Sequence, residues 1–76
     1  MFTHIHSDPE ILNGKPVVKG TRLSVEFILE LFASGATHKD ILQTYPQLSF
    51  EAVEDALRYA AQSLKNDALF TAEIAS

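Results

Sequence analysis

The sequence predicts a mostly α-helical domain, a three-helix helix-turn-helix-like bundle with a short N-terminal two-stranded β element. Three observations predict it. Apolar segments follow good N-cap residues at Ser24, Thr37 and Ser49, with breakers at Gly35 and Pro46 between them. A short helix, a turn through Tyr45-Pro46-Gln47-Leu48 and a longer helix follow one another in helix-turn-helix order. Ahead of them lie two segments rich in β-branched residues, Phe2 to His6 and Lys15 to Leu23.

Phe2 to His6 reads as a short strand. Asp8-Pro9-Glu10 combines an N-cap residue, a proline suited to the first helical position and an acid that favours the positive helix end, so it predicts one turn of helix. Asn13-Gly14 closes that turn, because both residues tolerate the left-handed conformation. A hairpin around Asn-Gly competes, but Pro16 and the short flank favour the helical turn. Lys15 to Leu23 reads as extended, since Pro16 disfavours helix in its predecessor and Val17-Val18 favour a pleat. Gly20 within it marks a bulge, a tight bend or a close backbone approach.

Ser24 caps a helix running to about Ser34. Its Val25, Phe27, Ile28, Leu29, Leu31 and Phe32 cover more than one face, which places the helix at the core or against a second chain. Thr37 and Asp40 form a capping-box pattern ahead of Ile41 and Leu42. Ser49 opens the third helix, where Val53, Ala56, Leu57, Ala60 and Leu64 recur at core spacing. Residues 1–65 therefore form one domain. Residues 66–76 form a tail whose Leu69, Phe70 and Ile74 fit no clean stripe, and fraying or packing on a partner chain both account for it.

With 76 residues, 46% of them apolar, and no cysteine, the chain has one thin core and no disulfide or thiolate metal site to reinforce it. Oligomerisation is the remaining supplement, and a homodimer is expected with Phe27, Leu31, Leu69, Phe70 and Ile74 as its apolar contacts or as contacts to another protein. No stretch suits a signal peptide or a bilayer span, so a cytoplasmic protein without membrane contact is expected.

The net charge is −4 and unevenly spread. Residues 1–22 carry net +1 through Lys15, Lys19 and Arg22, and residues 23–76 carry net −5. A recognition helix would start at Ser49, where Glu51, Glu54 and Asp55 repel phosphates and only Arg58 offsets them. DNA contact, if made, runs through Lys15, Lys19 and Arg22; the alternative for these three is a solvated edge that discourages strand aggregation. Arg22, with its planar five-donor guanidinium, also suits a structural clamp at the strand-helix junction.

His4, His6 and Asp8 share one face of an extended segment and are the single candidate metal set. Asp8 is already engaged as an N-cap and no other ligand is near, so no metal and no cofactor is expected. No nucleophile elbow, no phosphate-cradling glycine loop and little room for a small-molecule substrate point away from an enzyme.

GKPVVKGTRLSV from Gly14 to Val25, preceded by Asp8-Pro9-Glu10-Ile11-Leu12 and followed by an apolar helix, Gly35 and Tyr45-Pro46, resembles the bacterial domain-of-unknown-function family numbered four hundred and thirty-three. The resemblance runs from about Ile5 to Leu64. It makes Gly14, Pro16, Gly20, Thr21 and Arg22 family-motif residues. It also implies a winged-helix or homeodomain-like fold and frequent dimerisation. Many members are encoded beside small PIN-like nucleases and are classed as antitoxin-like. The resulting expectation is an antitoxin-like regulatory protein that binds a partner toxin and, through the basic arm, operator DNA. The alternative is a homodimeric protein-interaction module with no DNA-binding role.

Overall fold

A computed structural model describes the backbone of residues 2–75 and the side chains of residues 2–65. The elements are β1 (Ile5–Ser7), β2 (Pro16–Val18), α1 (Val25–Ala33), α2 (His38–Thr44) and α3 (Phe50–Ala75). This is the expected class: three helices preceded by a two-stranded antiparallel sheet.

The two strands pair in the register Ile5 with Val18, His6 with Val17 and Ser7 with Pro16. Side chains alternate across a strand, so Ile5 and Val18 turn together into the main core. The strand begins later than the β-branched pattern suggests. The Ile5 N–H donates to the Phe2 carbonyl at 3.1 Å, turning the chain, and Phe2 packs edge-on against Tyr59 of α3. Phe2 is thus an anchor on the helix rather than a strand residue.

The connection between the strands differs from the expected single helical turn. Asp8 does cap, with its Oδ1 accepting from the Glu10 N–H at 2.9 Å, and its carbonyl closes a turn with Ile11. The chain then coils the other way. Leu12, Asn13 and Gly14 have φ of +50°, +58° and +83° in a 3-10 turn. Asn and Gly accept this region readily, but a leucine held there costs roughly 1–2 kcal/mol.

Lys15 to Leu23 is extended only in part. After Val18 the chain reverses at Gly20, whose φ is +79°. Thr21 secures the reversal: its hydroxyl donates to the Val18 carbonyl at 2.8 Å and accepts from the Leu23 N–H at 3.0 Å. Ser24 consequently returns to bridge Val17 at the entrance to α1. Of the three alternatives at Gly20, a tight bend is the one formed.

The helix boundaries follow their local chemistry. Ser24 Oγ accepts from the Phe27 N–H at 2.9 Å. At the far end of α1, Gly35 at φ +104° and the Ala36 N–H to Leu31 carbonyl bond of 3.1 Å make a Schellman closure. Thr37 and Asp40 form the reciprocal capping box of α2. Ser49 Oγ accepts from the Ala52 N–H at 3.1 Å to open α3.

Val25 and Ile28 of α1, Ile41 of α2, and Ala52, Val53, Ala56 and Ala60 of α3 close the core over Ile5 and Val18. Leu29, Leu31 and Phe32 pack around it, so α1 is central within the chain itself. The stripe on α3 stops short of its expected end. Leu64 is 62% exposed, because the core beneath α3 ends at Ala60. The expected packing of Leu69, Phe70 and Ile74 lies outside the described side chains. No helix among the described residues is long and apolar enough to cross a membrane.

Candidate binding groove

The extended arm and the start of α1 meet in an open groove of about 460 Å³, within the volume range of ligand sites. Ser24, at the N-cap of α1, and Phe27 and Glu30 within it line one side. They recur at spacing three, which puts them on one face of α1. Leu12 and Asn13 of the left-handed turn form a wall, and Lys15, Arg22 and Leu23 complete the lining. The reversal at Gly20 and Thr21 is what swings Arg22 round to the mouth of α1.

Two of the lining side chains, Phe27 and Lys15, have contacts that position them. Phe27 packs edge-on against Tyr45, with ring centroids 5.7 Å apart, so it is a fixed platform. Lys15 Nζ lies 2.9 Å from Glu26 Oε1. Both side chains are mostly solvent-exposed, so the pair positions the lysine and contributes only roughly 0.2–1 kcal/mol. Arg22 is exposed and has no side-chain hydrogen bond or ion pair among the described residues. The clamp that its guanidinium suits is not formed there. Lys19, also exposed, sits on the reversal and lies outside the groove lining.

The five motif residues divide by task. Gly14 and Gly20 supply left-handed backbone, Thr21 ties the reversal, and Pro16 begins β2. Pro16 also lines a second, apolar groove of about 300 Å³ with Val25, Leu29, Tyr59, Ala60 and Leu64. Arg22 is the motif residue whose side chain faces solvent without an internal task. Phe27 and Leu31, expected together as partner contacts, separate: Phe27 lines the large groove, whereas Leu31 packs against the core beside Ile41 and Tyr45.

Two acids of α3, Glu54 and Asp55, are engaged from within, whereas Glu51 is exposed. His4 meets Asp55 twice, through Nδ1 to Oδ2 at 2.7 Å and through its backbone N–H at 3.2 Å. Arg58 reaches Asp55 at 3.2 Å and Glu54 at 3.4 Å. His38, stacked on Phe50, brings Nε2 to 3.0 Å from Glu54 Oε2, although out of hydrogen-bonding alignment. The hydrogen bond from His4 holds the Asp55 carboxyl below its ordinary value; burial opposes this, and the His4 backbone N–H and Arg58 reinforce it. His4 Nδ1 is thereby committed to Asp55. Among the described residues no three His, Asp or Glu side chains are grouped to hold a metal.

The Arg58 contacts follow from i,i+3 and i,i+4 spacing. The two histidine contacts carry no local signal, since His4 and Asp55 are 51 residues apart. The left-handed wall at Leu12 has none either.

The family described as "Protein of unknown function (DUF433)" matches residues 5–60. The chain belongs to this family. Its matched span covers β1 through most of the core stripe on α3, including the whole groove. A solved DUF433 member from Anabaena variabilis ATCC 29413 aligns with a TM-score of 0.76 and 29% identity, covering 96% of this chain and 69% of that one. An uncharacterized protein, y4eO, from Sinorhizobium fredii (strain NBRC 101917 / NGR234) is 38% identical over 56 residues, 74% of this chain. The chain spans about a quarter of that relative's length, 25%.

Proposed function

We propose that this DUF433 chain is an antitoxin-like regulatory protein. It is a non-enzymatic cytoplasmic module that binds a partner toxin through the groove between its basic arm and α1. The observation that supports the reading is the convergence of Arg22 and Lys15 with the apolar surfaces of Phe27 and Leu12 in one solvent-open groove. A cation beside an ordered aromatic is the composition of an interface anchor. The resemblance of the arm motif supplies the partner class, a small PIN-like nuclease. Co-expression with the product of the adjacent gene tests it. Co-purification with relief of toxicity is expected, and neither complex nor relief overturns it.

A second reading, operator DNA contact through Lys15, Lys19 and Arg22, is favoured by their being the basic region of an acidic chain. Lys15 is already tied to Glu26, which leaves two cations per copy. Duplex affinity is then expected to fall with salt at a logarithmic slope of about −2 per bound copy, or about −4 for the dimer. The homodimer remains part of the proposal because the core is thin. Sedimentation at micromolar concentration is expected to show two copies, and a stable folded monomer refutes it. A homodimeric module without DNA contact is the reading left if the salt titration finds no specific binding.

A further inference from the structure

We propose that the groove beside Arg22 takes an extended peptide segment of the partner protein in which a carboxylate stands next to a large apolar side chain. The inference rests on the partner-binding reading above and specifies what the partner must present.

The apolar half of this recognition comes from Phe27 and Leu12. Phe27 is fixed against Tyr45, so an incoming side chain meets a surface whose conformational entropy is already spent. Leu12, 43% exposed at φ +50°, holds a conformation that leucine disfavours. Such residues cluster at ligand clamps, where surrounding structure fixes them. The polar half comes from Arg22. Its planar fork matches a carboxylate in a bidentate pair, and no acceptor occupies it among the described residues.

Charge selects the occupant. Beyond residue 22 the chain carries net −5, so an anionic segment is repelled by most of the surface and attracted at the arm. A nucleic-acid backbone fits this groove less well. Its phosphate chain offers nothing apolar to Leu12 and Phe27.

The test is selection of a random nine-residue peptide library on the immobilised chain, with the Arg22→Ala variant as counter-selection and circular dichroism to establish that the variant is folded. Enrichment of peptides pairing Asp or Glu with Leu, Ile or Phe is expected. Their affinity should fall about tenfold or more on Arg22→Ala, as for a lost charge-assisted pair, and partly recover in Arg22→Lys. Peptides without acidic enrichment, peptides indifferent to Arg22, or no enrichment over the variant overturn the proposal. Arg22-dependent retention of a random duplex pool at 150 mM salt in place of peptides also overturns it. Toxin capture that is insensitive to Arg22→Ala removes this inference and leaves the antitoxin reading. Arg22-dependent acidic peptides without any toxin complex do the reverse.

Discussion

At the start of α3, Asp55 and Glu54 each face a histidine delivered from another element, and Arg58 joins the two carboxylates. Along the arm, Lys19 and Arg22 face no carboxylate among the described residues. Two charged regions of similar size are thus put to opposite uses. The acids are consumed in holding the N-terminal segment and α2 to α3, whereas the arm presents its cations outward. Helix-turn-helix order nominates α3 as the surface that meets a partner, yet two of the three acids at its start, Glu54 and Asp55, are committed to the fold. Charge counted along a sequence does not distinguish spent charge from available charge.

The comparison presumes one cooperative core beneath both regions, and breaking that core has the largest expected effect. Ile28 is fully buried on α1, between the arm and α3. Ile28→Ala is expected to cost roughly 2–5 kcal/mol and to lower the urea midpoint in a single transition. Two separate transitions would show that the regions fold independently.

Asp55→Asn sharpens the role of the acids. The folded carboxyl titrates below its ordinary value of 3.8 because of His4, so its stabilisation is present above that value and lost as pH falls through the lowered one. The variant is expected to be less stable near neutrality and to lose this part of the acid-induced decline in melting temperature below about pH 3.8. An acid limb identical to that of the natural chain would show that the His4 contact contributes nothing.

Thr37→Ala removes half of the α2 capping box and is expected to cost about 1 kcal/mol, read as a shift in the denaturation midpoint. Smallest of all is Arg22→Ala. An exposed side chain without an internal partner should change stability by no more than about 0.5 kcal/mol. A larger loss would restore the structural clamp that the guanidinium's geometry suggested.

Which features were legible follows from their range along the chain. Ser24, Thr37, Ser49 and Gly35 act within four residues of themselves, and their caps and closure form where the sequence puts them. The family motif was legible as well, because both of its glycines sit where the backbone is left-handed and its threonine ties the reversal beside Gly20. The expected strand at Phe2 failed because Tyr59, far along the chain, claims the ring. The expected helical turn failed at Leu12, which sits at φ +50° in a left-handed turn that its residue type does not advertise. Leu64 kept the core period but had no core left beneath it. Part of the groove is legible in the sequence: Lys15, Arg22 and Phe27 stand out by type and position, while Leu12 joins them only through the left-handed turn.

The central claim is that the arm's charge serves binding and that Glu54 and Asp55 of α3 serve folding. The most direct measurement compares Arg22→Ala and Asp55→Asn in parallel, scoring melting temperature and co-purification with the adjacent gene's product. The account predicts that Arg22→Ala melts with the natural chain but loses the partner, while Asp55→Asn melts earlier and retains it at a temperature where it is folded. An Arg22→Ala variant that keeps the partner, or that loses it only because it has unfolded, would contradict the account.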